Sequence, residues 1–361
     1  MTIDPLLSNS GAWMSASQHE QIVISSRIRL ARNLRDYAFP GWGGEEECAR
    51  IWSLLRPALA ALPSLQPEID VGMDELDDLD KQILLERHLI SREQAGKGRG
   101  SGLIIREDER VSLMVNEEDH LRLQALTSGL DLPGCWRVID DVDSQIESVT
   151  GYAFSPSLGY LTSCPTNVGT GMRASVMMHL PGLVLMEEMN PIIKGLGKIG
   201  LTVRGLWGEG TEAVGNMFQI SNQMTLGEKE GDIVHNIEQI CLEIVEHEKN
   251  ARLRLAEKKE LYLKDHIGRA FGILTHAHLL TTKEALDLLS DLRLGVDLGI
   301  LKGVDRGVVD ELLMMAQPGH LQKLEGRVLK TKERDRVRAK RVRERLTRSE
   351  SRTKKVNKTH E

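Results

Sequence analysis

Residues 21–34, Q-I-V-I-S-S-R-I-R-L-A-R-N-L, begin a β-rich run in which arginines stand at 27 and 29. Period two sets those two side chains on the same face of a strand. Apolar runs at 102–105 and 111–115, separated by Glu107, Asp108 and Glu109, predict a hairpin. Further strands are predicted over 146–154, 159–162, 199–206 and 216–221. Longer helical periodicity predicts helices over 45–61, 74–90, 182–196, 282–292 and 305–316, with a long heptad-like stretch over 228–263. The helix at 74–90 is acidic at its start, as the helix dipole prefers. Residues 174–180 also read as helix-like. The fold class that follows is α+β: a mainly antiparallel sheet with flanking helices, then a small helical domain from about Glu228. No internal repeat is evident.

Composition changes this picture in three places. The chain has 361 residues and is 40% hydrophobic, enough for one large or two modest domains, but only 4% aromatic. Aliphatic residues and 13 Met must therefore fill the core. The net charge of −6 is unevenly spread. Residues 327–361 hold 15 Lys/Arg against 5 Asp/Glu, a basic end of +10 on a body of −16. Cys48, Cys135, Cys164 and Cys241 are scattered without C-x-x-C spacing, which argues against a zinc site and a disulfide framework. The first residues are polar, without an apolar signal core, and no run is long enough to span a bilayer. A reduced, cytoplasmic protein is the expectation.

The chemistry concentrates in four stretches. Residues 160–173 read Y-L-T-S-C-P-T-N-V-G-T-G-M-R. Pro165 blocks ladder pairing after Cys164, and Gly169 and Gly171 allow the backbone to approach a ligand closely. A thiol on a glycine loop beside Arg173 suits an anionic ligand; a strand-to-helix turn with one free cysteine suits the same letters. Arg27 and Arg29 could hold phosphate bidentately or guard a sheet edge. N-E-E-D-H-L-R, residues 116–122, is either a solvated acidic turn or a carboxylate site, and V-R-G-L-W-G-E-G-T-E, 203–212, is a mobile glycine loop or a closing one. The glycine-rich 94–102 segment lacks G-x-x-x-x-G-K-[ST] and is no P-loop.

Taken together, C-P-T-N-V-G-T-G-M-R, S-S-R-I-R and N-E-E-D-H-L-R resemble the phosphagen (guanidino) kinases, over roughly residues 20–225. The resemblance implies an ATP:guanido phosphotransferase fold. It assigns Glu118 and Glu209 as the carboxylates that hold the substrate guanidinium, favouring Glu209 over Glu212, with Cys164 as an electrostatic, orienting thiolate. It assigns the nucleotide to Ser25, Ser26, Arg27, Ile28 and Arg29; to His88, stacked on adenine; to Arg122; to Arg173, Ala174, Ser175, Val176 and Met177; and to Arg204, Gly205, Leu206, Trp207, Gly208 and Glu209. Five arginines suit a triphosphate, and Mg²⁺ would be held mainly through phosphates and water, with no dedicated protein metal site.

Within that superfamily the chain resembles the bacterial protein arginine kinases. No small helical domain precedes S-S-R-I-R, so an open site that admits an arginine on a protein surface is expected. R-D-R-V-R-A, 334–339, is similar to that family's phosphoarginine-binding motif, which implies an allosteric pocket of Arg334, Asp335, Arg338 and Ala339. Arg334 and Arg338 stand at i,i+4 and share a helical face. The expected divisions are 1–20, a catalytic domain 21–227, a helical domain 228–339, and a basic, disordered tail 340–361. The resemblance also implies a McsA-like activator, the CtsR repressor and the ClpC–ClpP protease as partners, and a homo-oligomer. A small-molecule guanidino kinase and a non-catalytic phosphoarginine-binding adaptor are the alternatives. Nucleic-acid binding rests on tail charge alone, without a reading element.

Overall fold

The structure, a computed structural model, describes residues 3, 6, 22–205 and 213–357. Ten strands lie among them: β1 (Val23–Arg32), β2 (Pro67–Gly72), β3 (Gly102–Arg106), β4 (Val111–Val115), β5 (Leu121–Ser128), β6 (Phe154–Ser155), β7 (Gly159–Tyr160), β8 (Met172–His179), β9 (Leu201–Gly205) and β10 (Met217–Asn222). Eight form one sheet in the order β2-β3-β4-β5-β1-β8-β10-β9. The pairs β2–β3, β3–β4, β4–β5 and β1–β5 are antiparallel. Helices before β8 are α1 (Pro40–Ala60), α2 (Asp78–Glu86), α3 (Arg92–Ala95) and α4 (Leu132–Val149). After it come α5 (Pro181–Leu185), α6 (Met189–Lys198), α7 (Glu230–Lys258), α8 (Glu260–His276), α9 (Thr282–Asp297), α10 (Arg306–Met315), α11 (Pro318–Leu324) and α12 (Thr331–Asn357). The architecture is α+β, as the sequence predicts.

Among the described residues the chain forms two compact units, one drawing on 1–177, 193–203 and 219–242, the other on 178–192, 204–218 and 243–361. In the first unit, alternation along the strands divides the sheet into two faces. Ile28 and Leu30 of β1, Leu121, Leu123 and Ala125 of β5, Ala174 and Val176 of β8, and Ile220 of β10 are fully or almost fully buried. Helix α4 packs against β1 and β5. It buries Leu132, Cys135, Ile139, Val142 and Ile146 at three- and four-residue spacing, the stripe an amphipathic helix presents to a sheet. Asp131 caps its start by accepting from the Gly134 amide at 2.9 Å.

Two predicted elements are replaced. Residues 174–179 of the stretch expected to be helix-like, 174–180, belong to strand β8: sandwiched between β1 and β10, the segment is covered on both sides and loses a clear polar alternation. Residues 146–149 end helix α4 rather than begin a strand. The polar run Asp140, Asp141, Asp143 and Ser144 masks the helical stripe in the sequence. The helix expected over 74–90 is a 3₁₀ turn, Met73–Glu75, followed by α2, which stops at Glu86.

Arg32 fixes the cysteine loop to this frame. Its Nε and Nη2 donate to Asp143 at 3.0 and 2.7 Å, and its Nη1 donates to the carbonyls of Ala31 and Thr170 at 3.0 and 2.9 Å. The guanidinium lies 3.5 Å from the Tyr160 ring centroid. Gly171 adopts φ +62°, and a Cβ there would meet the Ala31 carbonyl at 2.6 Å.

The second unit holds most of the later helices. Leu255, Leu263, Ile267 and Leu294 form a buried cluster. Beside it the buried Arg252 pairs with Glu248 at 2.6 Å and Asp297 at 3.2 Å, and Arg293 with Asp310 at 3.0 Å. Helix α12 continues through residue 340, where a disordered tail is expected, because Ala339, Val342 and Leu346 place an apolar stripe in the core. Charge dominates the composition there, but three buried positions at helical spacing are enough to hold the helix.

Removing one partner of a buried ion pair leaves the other uncompensated. Asp143→Ala is therefore expected to lower unfolding stability by about 3–5 kcal/mol, measured by urea denaturation.

Candidate active site

The polar face of the sheet is built by the same alternation. Arg27 and Arg29 project from β1, and the register pairs Arg29 with Gln124 and Ala31 with Arg122 on β5. Arg173 and Ser175 take that face of β8, and Gln219 and Ser221 that of β10. Arg27 donates to Gln219 Oε1 at 2.7 Å and to Ser175 Oγ at 3.4 Å; Arg173 donates to Ser221 Oγ at 3.0 Å. Four guanidiniums thus converge from three strands. Gln124, Gln219 and Ser221 did not stand out in the sequence; only their position opposite the arginines in the ladder marks them.

Burial, and then the neighbouring Arg122 and Arg173, lower Arg27 to about 10. Burial followed by Arg27, Arg122 and Arg173 pushes Arg29 well below its usual value. Arg29 Nε is buried and finds no hydrogen-bond partner among the described residues. Glu117 is the carboxylate set against this charge: Arg122 Nη1 donates to its two oxygens at 2.6 and 2.7 Å. Burial would raise the Glu117 carboxyl, but Arg122 and the hydroxyl of Ser91 outweigh it and hold it below the usual range. Positive charge stays in excess.

Residues 116–120 form the turn between β4 and β5. Asn116 takes φ +56°, its amide donates to the His120 carbonyl at 2.9 Å, and its side chain donates to the carbonyls of Cys48 and Gly100. Glu118 faces solvent while Glu117 is buried, since neighbouring residues point opposite ways. Partial burial and then Asp119 raise the Glu118 carboxyl above its ordinary 4.5. Asp119 ties this turn to the cysteine loop: its Oδ1 accepts from Asn33 Nδ2 and from the Ser163 amide, both at 2.6 Å. Cys164, next to Ser163, is half-buried with its Sγ 3.0 Å from Thr166 Oγ1. Thr225 Oγ1 donates to the carbonyls of Thr166 and Val168 at 2.9 and 2.8 Å and closes the far side of the loop.

His88 lies beyond α2 at φ +59°, and its carbonyl accepts from Gln124 Nε2 at 2.7 Å. Burial, reinforced by Arg27, lowers it to about 3, so the ring is neutral.

Other predicted site residues sit elsewhere. Ser26, Ile28, Ala174 and Val176 belong to the face opposite the arginines, and the Ser26 hydroxyl donates to the Gly129 carbonyl at 2.8 Å. Ser25 is buried, and Met177 is on the arginine side of β8. Arg204 and Gly205 end β9, with Arg204 exposed. Leu206, Trp207, Gly208, Glu209 and Glu212 lie outside the described residues.

The motif at 334–339 departs from its expected geometry. Arg338 does not share an open face with Arg334: it is 1% exposed, and its guanidinium donates to the carbonyls of Ala316 and Leu280, to Thr282 Oγ1 and to Asp335 at 2.7–2.8 Å. Arg338 adjoins the buried Ala339, so it turns inward with α12's apolar stripe. Arg334 is half-buried and donates to Thr331 Oγ1 at 3.3 Å.

Residues 60–251 match the ATP:guanido phosphotransferase C-terminal catalytic domain, and residues 260–357 the protein-arginine kinase McsB C-terminal domain. The protein-arginine kinase of Halothermothrix orenii is 43% identical over 344 residues, 95% of this chain and 98% of its own. That of a Geobacillus species is 46% identical over 338 residues, 93% of each chain. Lombricine kinase shares the fold, with a TM-score of 0.56 at 23% identity over 69% of this chain and 71% of its own.

A desolvated charge with one buried donor unmet costs stability, and a polyanion would repay it. Arg29→Met is expected to stabilise the fold by about 0.5–2 kcal/mol while weakening triphosphate binding. Urea denaturation and calorimetric titration with ATP measure the two effects separately.

Proposed function

The chain belongs to the protein-arginine kinases, and on that premise we propose that it transfers the γ-phosphoryl group of ATP to arginine side chains of proteins. The observation that supports the reading most directly is Arg29, a half-buried cation whose buried Nε finds no hydrogen-bond partner among the described residues, standing with three further arginines and one carboxylate. Such a surplus fits the phosphate oxygens of a triphosphate, whose spread-out transition-state charge guanidinium forks match. The neutral His88 ring fits adenine better than an imidazolium would. Among the described residues no group of three or more His, Cys, Asp and Glu is arranged to hold a metal ion. Mg²⁺, which supplies charge neutralisation on the phosphates, would be carried by those phosphates and water.

The acceptor is a cation. An arginine guanidinium has a pKa above ~12 and is a poor nucleophile while protonated. Glu118 binds it and, with Glu209, aims one nitrogen at phosphorus. The N–P bond forms as the bond from phosphorus to the ADP oxygen breaks, and a carboxylate takes the proton leaving nitrogen. Cys164 adds an orienting contact from a loop that Asp119 holds beside the Glu118 turn. Catalysis is positioning and electrostatics rather than a covalent enzyme intermediate.

The 334–339 motif carries regulation. Arg338 anchors the helix and donates to the Asp335 carboxylate at 2.8 Å, so in this reading phosphoarginine meets Arg334 beside that ion pair. An McsA-like activator, the CtsR repressor, the ClpC–ClpP protease and a second copy of the chain are the partners in this reading, and the cytoplasm its location. Among the described residues no helix is long and apolar enough to cross a membrane.

The protein, incubated with Mg-ATP and an unfolded protein, is expected to produce phosphoarginine detectable by mass spectrometry, and little product from free arginine. Efficient turnover of free arginine instead would make it a small-molecule guanidino kinase. Glu118→Gln should cut kcat heavily while ATP still binds.

The raised Glu118 carboxyl also sets a pH limit. Its ionised form binds the guanidinium, so activity is lost as pH falls through a pKa above the ordinary 4.5. The kcat/KM profile for protein substrate should show that acidic limb.

A further inference from the structure

Trp42 is 91% exposed, the most exposed of the large hydrophobic side chains among the described residues. Its setting argues against a stray surface residue. It belongs to F-P-G-W-G-G, the entry of α1, where Pro40 opens the helix and the Trp42 and Gly43 amides donate to the Phe39 carbonyl at 2.7 and 3.0 Å. The backbone is therefore held. Gly41 and Gly43, without side chains of their own, flank Trp42 in the chain.

This entry is clamped to the turn that carries Glu118. His120 Nε2 lies 3.0 Å from the Ala38 carbonyl, and its Nδ1 accepts from the Leu34 amide at 3.0 Å. The Tyr37 and Phe39 rings meet the His120 ring edge-on, with centroids 6.3 and 6.2 Å away. Asn116 donates to the Cys48 carbonyl from the other end of the same turn. One residue, Asp119, separates His120 from Glu118 in the chain. An exposed indole and the guanidinium-binding carboxylate are thus carried by two segments that His120 joins; Gly44, at φ +67°, kinks α1 between Trp42 and Cys48.

We propose that Trp42 is a docking residue for the polypeptide that flanks the target arginine, a specificity contact that rests on the protein-arginine kinase reading. The occupant is an extended or unfolded segment. Its backbone and side chains beside the arginine can cover the ring once the guanidinium is engaged at Glu118. Tryptophan is suited to the task because one rigid side chain gives a large contact area at low entropic cost, and such residues dominate the energetics of binding surfaces. Its contact is made equally in the ground and transition states, so it acts on substrate affinity and not on the chemical step.

The test compares wild type, Trp42→Ala and Trp42→Phe on reduced, carboxymethylated lactalbumin with Mg-ATP. Trp42→Ala is expected to raise KM for the protein about tenfold, with kcat and KM for ATP unchanged; Trp42→Phe should recover most of the loss. The exposed ring contributes nothing to the core, and a thermal melt matching wild type confirms the fold. An unchanged KM in Trp42→Ala overturns the docking role, and so does a fall in kcat at constant KM. A wild-type enzyme that phosphorylates no protein arginine fails the functional reading itself, and the docking role falls with it.

Discussion

Repulsion among Arg27, Arg29, Arg122 and Arg173 is the constraint around which the first unit is organised. All four are half-buried, burial weakens the charged form of Arg27 and Arg29, and Glu117 pairs with Arg122. A cluster of this kind would splay apart on a flexible support. It stays together because its members stand on adjacent strands of a sheet whose other face is packed with Ile28, Leu30, Leu123, Ala125 and Val176. Hydrophobic burial beneath the sheet offsets the electrostatic cost above it. Gln219, Ser175 and Ser221 orient the guanidiniums without neutralising them.

The same logic extends to the loops. Cys164 and Glu118 come from segments more than 40 residues apart, and the short bonds of Asp119 to Asn33 and Ser163 register one against the other. Arg32 and Thr225 hold the cysteine loop from two further sides. Preorganisation of this sort lets positioning carry a large part of catalysis, because little reorganisation remains when the substrates arrive.

Buried arginines serve a different purpose in the second unit. Arg252 and Arg338 are matched by carboxylates or carbonyls, as buried charges ordinarily must be, and Arg293 pairs with Asp310 although its Nη1 finds no partner among the described residues. Arg338 shows the contrast well. Its donors are spent on the fold, whereas Arg29 keeps a donor unspent. A motif of identical residue type can therefore be structural at one position and ligand-directed at another.

Much of this was legible in the sequence. Period-two spacing placed Arg27 and Arg29 on one face, the Asn116–Arg122 and Tyr160–Arg173 stretches announced their chemistry, and the α+β order followed from alternating patterns. These are local properties, fixed by a few residues of spacing. The conformation of 174–180 was not, because a strand covered on both faces loses the polar alternation that distinguishes it from a buried helix. Nor was the inward turn of Arg338, which depends on carbonyls 22 and 58 residues away in the chain. The convergence of Arg27 with Arg122, Arg173 and Gln219 likewise depended on strand order. Pairings across about a hundred residues or more are set by the packing of the whole sheet, and no short window of sequence contains them.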